Sequence, residues 1–89
     1  MADEETPTPE EVAAMQEQLA AFPVDQFLVS TATTIASLAY AKLERGELEE
    51  AKKAIDALAD VVKHVHGELA PDLRLALSRL QLAFVEATS

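Results

Sequence analysis

The residues best equipped for chemistry are His64 and His66, in the stretch "VKHVHGEL". On a helix, residues two apart point about 200° from each other, so this pair cannot share one ion. Helical metal pairs use spacings of three or four, as in H-E-x-x-H. Asp60 lies four residues before His64 and is placed to pair with it, yet one carboxylate and one imidazole fall short of a ligand set. There are no cysteines, which removes thiolate ligands, thiol nucleophiles and disulfides together. His66 follows Val62 and Val65 and is expected at a helix end, where an imidazolium suits the negative pole of the dipole. No metal and no cofactor are expected.

Catalysis has less support still. Serines and threonines are plentiful, but a nucleophile with a base and an orienting group is hard to assemble from two neighbouring histidines. Asp25 and Asp56 are the acids nearest apolar positions. Asp56 reads either as a solvated contact or as a buried polar anchor that fixes a partner's register. Glu49 and Glu50 stand at helical spacing from Lys53, pairs worth a few tenths of a kcal/mol that serve solubility. Tyr40 is expected at the edge of a helical hairpin with its hydroxyl outward. The expectation is a protein that is not an enzyme.

Charge narrows the partners. The formal net charge is −9, and Asp3, Glu4, Glu5, Glu10 and Glu11 come before any basic residue. An acidic surface with no basic stripe or aromatic cluster argues against nucleic acid. The opening "MADEETPTPEEV" lacks the basic and apolar regions of a signal peptide. The most apolar stretch, Phe27 to Ala41, is shorter than the roughly 20 residues of a membrane span and is rich in Ser and Thr. No membrane partner and a cytoplasmic location are expected.

These side chains must be held by helices, because the apolar pattern is helical throughout and the fold class expected is all-α. Residues 1–7 read as a disordered acidic leader and 8–89 as a single helical domain. Thr8 as N-cap, Pro9 at the first position and Glu11 three after the cap open a short amphipathic helix over about 9–21. Its stripe is Val12, Met15, Leu19 and Phe22, and Pro23 ends it. A small bundle of three main helices follows, over about 24–45, 47–66 and 71–87. In the first of these, Phe27, Leu28, Ile35, Leu38 and Leu43 lie on or near one face, among small residues that favour a tight seam over a polar groove. Thr and Ser hydroxyls there can bond back to carbonyls one turn earlier.

The second main helix has the strongest pattern: Leu48, Ala51, Ile55, Leu58, Val62 and Val65, a heptad seam suited to shallow antiparallel packing. Gly46 and Gly67 are placed to cap the first and second main helices. In the third, Leu73, Ala76, Leu77, Leu80 and Phe84 form one stripe, and Leu75, Leu82 and Val85 fall outside it. A helix apolar beyond one stripe has more to bury than one neighbour covers. A chain of 89 residues buries only about 60–65% of its unfolded surface. A second copy is the economical cover, so a homodimer or higher assembly is expected, with Leu75, Leu82 and Val85 as contacts. The alternative is that the N-terminal helix covers them within one chain.

Leu38, Ala39, Gly46, Ala51 and Ile55 stand at offsets that resemble one tetratricopeptide unit. No second copy follows at a 34-residue period, and such arrays need about three units. A wider resemblance covers residues 27–87. The Ser/Thr/Ala-rich "FLVSTATTIASLAYAKLERG", the "LEEAKKAIDALADV" segment with Ala51, Ile55, Asp56 and Leu58, the joint Gly67–Leu69–Pro71 and the closing "LSRLQLAFVEA" resemble an uncharacterised bacterial family, domain of unknown function number eighteen-forty-four. Ala70 departs from it where relatives place a hydroxyl N-cap, a loss of about 1 kcal/mol. The resemblance implies a small helical protein without catalytic machinery. The function expected is a non-catalytic helical protein-interaction and oligomerisation module. The alternative is an acidic accessory factor, linked to translation or stress, that binds a basic protein partner.

Overall fold

The computed structural model describes residues 6–89; Met1–Glu5, which make up most of the expected acidic leader, lie outside the described residues. Among the described residues the chain is all-α, with four helices in the order α1 (Pro9–Ala21), α2 (Val24–Glu44), α3 (Leu48–Val62) and α4 (Ala70–Ala87). The helices α2, α3 and α4 pack on one another, whereas α1 packs on none of them.

The α2–α3 hairpin is fixed by its turn. Gly46 adopts φ +74°, and the bonds Glu47 N–H to Lys42 O (3.0 Å) and Gly46 N–H to Leu43 O (3.1 Å) close a Schellman motif. Glu47 reinforces it through Lys42 at 3.4 Å and Arg45 at 2.8 Å, both from the end of α2. Its Oε2 is shut off from solvent and accepts no well-aligned hydrogen bond, so the Arg45 contact is an ion pair lying off the bonding direction. So short a turn makes α2 and α3 antiparallel neighbours. Reversal after α3 returns α4 alongside α2 in the same direction: Ala36 and Tyr40 of α2 line one groove with Ala76 and Ala83 of α4.

Heptad positions decide the core. Ala51, Ile55, Leu58 and Val62 of α3 are buried, with Val65 fully enclosed just beyond the helix. They meet Ala32 and Ala39 of α2 and Ala70, Leu73 and Leu80 of α4, with Leu28, Ile35, Leu43, Leu77 and Phe84 partly buried around them. Ala32, Ala39 and Ala51 are the close-approach positions, and among the described residues no polar or charged residue is buried. The hydroxyls of α2 point away from this seam: Thr33 donates to Val29 O at 2.9 Å and Thr34 to Ser30 O at 3.0 Å.

Several expectations are corrected. The third helix ends at Val62, not near residue 66, because His64 N–H and Val65 N–H turn back to Val61 O and Val62 O. That tightening turns Val65 into the core without a further turn of α-helix. Gly67, at φ +105°, therefore serves the connection to α4 and does not cap α3. Phe27 and Leu38 are exposed and not part of the seam, since the seven-residue step from Ala32 to Ala39 sets the contact line on the other side of α2. At the start of α4 the cap position is Leu69, without a side-chain cap bond, and Ala70 is the first helical residue. Ala70 is buried against the bundle, so its missing hydroxyl follows from packing.

Candidate interaction surface

The residues that suggested chemistry are dispersed over the surface. His64 and His66 lie exposed in the connection between α3 and α4, off any helix. Asp60 pairs with Lys63 at 3.3 Å and not with His64. Among the described residues no three His, Asp or Glu side chains cluster closely enough to hold a metal ion. Asp56 is solvent-exposed and pairs with Lys52 at 2.8 Å, so it is not buried within its own chain. Lys53 forms no ion pair with Glu49 or Glu50; in water the Coulomb gain between such side chains does not outweigh the entropy of holding them. Asp25 sits exposed in the first turn of α2, where its charge suits the helix N-terminus. Tyr40 is exposed, and the Glu44 carboxylate one turn later raises its phenol above the ordinary value of 10.0, through hydrogen bonding first and charge second.

What the surface does concentrate is apolar area. On α1 the cap forms as its sequence requires, Thr8 Oγ1 accepting from Glu11 N–H at 3.1 Å. The helix then presents Val12, Met15, Leu19 and Phe22 along one edge, and all four are exposed, Leu19 to 68%. On α4 the residues facing away from the core are Leu75, Leu82 and Val85, and Leu82 is 60% exposed. The alternative that α1 covers them within the chain is not what the structure shows, because α1 touches no part of α4.

The two sets of contact residues are therefore separate in one chain. The reason lies at Phe22 and Pro23. Both are extended, with ψ of 128° and 129°, and Pro23 is the cap of α2, so α1 leaves α2 at a bend of 92°. Inside the elbow Phe22 and Phe27 meet edge to face with ring centroids 6.3 Å apart. Leu19, Phe22, Val24 and Phe27 line an apolar hollow there.

Sequence reasoning missed Phe27 and Leu38 as surface residues. They follow a second stripe on α2, through Thr31 and Thr34, and the pair Ala32 and Ala39 was the available signal that the seam ran elsewhere. No single helix among the described residues is long and apolar enough to cross a membrane. Comparison with protein-family models, curated proteins and solved structures gives no match, so the family resemblance over residues 27–87 rests on its own residues alone.

Proposed function

We propose that this chain is a non-catalytic helical interaction module whose principal partner is another copy of itself. The observation that carries the reading is the pair of exposed apolar stripes, Val12–Met15–Leu19 on α1 with Phe22 at its C-cap, and Leu75–Leu82–Val85 on α4. Scattered exposed leucines need no explanation, but aligned ones on a helix with no tertiary packing do. A 13-residue helix standing alone is at the lower limit of stability in water, so α1 gains from a surface to lie on.

Sedimentation of the wild type and of Leu82→Glu tests the reading. The wild type is expected to associate at micromolar concentration and the variant to sediment as a folded monomer. A wild-type monomer under those conditions removes the proposal. A second reading is favoured by the charge of α1, which carries Glu10, Glu11 and Glu17 and no basic residue. In it the chain is an acidic accessory factor, linked to translation or stress, that meets a basic protein. Association of that kind weakens steeply with salt, whereas apolar self-association does not.

A further inference from the structure

The stripe of α1 and its C-cap occupies residues 12, 15, 19 and 22, with steps of three, four and three. The outward face of α4 repeats those steps through Leu75, Ser78, Leu82 and Val85, all exposed. Each is a short heptad seam, and a constant offset of 63 residues superposes one on the other. Such matched seams pack side by side at a shallow angle.

The flanking positions distinguish the two possible directions. Beside the α1 seam stand Glu11, Gln16 and Gln18; beside the α4 seam stand Arg74, Arg79, Gln81 and Glu86. In parallel alignment the residue before one seam faces the residue following the next core position on its partner. That sets Glu11 against Arg79 and Gln16 against Arg74, one opposite-charge contact and one compatible with a hydrogen bond. In antiparallel alignment Glu11 faces Gln81 and no opposite charges meet. Charge complementarity selects the parallel arrangement.

A single chain cannot make it. α2 and α4 run in the same direction, and Phe22 at the end of α1 is joined through Pro23 to the start of α2. An α1 folded back on its own bundle would therefore run antiparallel to α4. Between two chains the near-right angle of the elbow supplies the solution. A two-fold axis along the bisector of that angle turns the direction of α1 in one copy onto that of α4 in the other, and does the same in reverse. We infer that two copies of this chain exchange their N-terminal arms, each α1 lying parallel on the outer face of the partner's α4, with Glu11 of one copy against Arg79 of the other. This inference rests on the self-association reading and specifies how the copies meet.

The chain has no cysteine, so disulfide trapping reports the register cleanly. In parallel packing residue 19 of one copy lies beside residue 82 of the other, and in antiparallel packing beside residue 78. Full-length chains carrying Leu19→Cys are mixed with chains carrying Leu82→Cys, and separately with chains carrying Ser78→Cys, under mild oxidation. A heterodisulfide from the first mixture and little from the second is expected. Glu11→Arg or Arg79→Glu alone should weaken dimerisation about tenfold, and the double variant should restore it. Trapping through residue 78 overturns the parallel register. A dimer that traps at neither position and ignores the charge exchange overturns arm exchange but leaves self-association standing. A chain that stays monomeric overturns both.

Discussion

At the scale of single residues, the structure assigns most polar side chains to solvent and leaves the small ones to do the positioning. Ala32, Ala39 and Ala51 are fully buried because a larger side chain at any of them would hold two helices apart. Ala39 and Ala51 were legible in the sequence as small residues flanking the turn at Gly46, whereas Ala32 was not. The exposure of Phe27 and Leu38 was not, because large apolar residues on a helix read as core unless the smaller ones are given priority. Tyr40 offers a direct test at this scale, since it is the one tyrosine in a chain without tryptophan. Its phenol is held above 10.0 by Glu44, so the neutral form is favoured in the fold. Any stability from that contact is complete below 10.0 and is lost as pH rises through the raised value. Titration by tyrosinate absorbance should give a midpoint above 10.0, and Glu44→Gln should move it back toward that value. An unmoved midpoint would mean that Glu44 is not the cause.

At the scale of elements, α1 and the bundle are governed by different physics. The bundle is stabilised by burial around α3, and helix boundaries were readable wherever a cap or a proline set them: Thr8 and Pro9 for α1, Pro23 and Gly46 for α2, all as their types suggest. The end of α3 was misread because the heptad count runs on to Val65, and a tight turn reaches the same core position without a helix. Only three-dimensional packing separates those two routes. For α1, the side-chain hydrogen bond that holds its first turn is the Thr8 cap. Thr8→Ala should therefore destabilise α1 by about 1 kcal/mol. Circular dichroism should record a loss of helix content at low protein concentration, while the unfolding midpoint of the bundle stays in place. A lowered bundle midpoint in a monomeric sample would show that α1 is integral to the fold.

At the scale of the molecule, shape is the informative quantity. The radius of gyration is 17.2 Å and the principal extents are 53 × 36 × 15 Å. A compact chain of this length has a radius near 12 Å. The excess comes from an arm that extends away from a bundle only one or two helices thick, leaving much apolar area for its size. If that area closes against a second copy, stability depends on protein concentration by mass action. The thermal midpoint should rise over a hundredfold concentration range in the wild type and stay flat in Leu82→Glu. Equal midpoints across that range in the wild type would disconnect folding from association. Neither the direction of the arm nor the separation of the two stripes was legible in the sequence, because both depend on the backbone angles of just two residues.

Those two residues carry one more consequence. Joined in line, α1 and α2 would make a rod of 36 residues, about 54 Å long, and together they have the length and apolar content of a bilayer span. The break at Phe22 and Pro23 divides that rod into an arm and a bundle helix set nearly crosswise. The proline thus keeps the two helices from fusing: its ring bars a helical Phe22, and the extended ψ of both residues turns one long apolar rod into two shorter pieces.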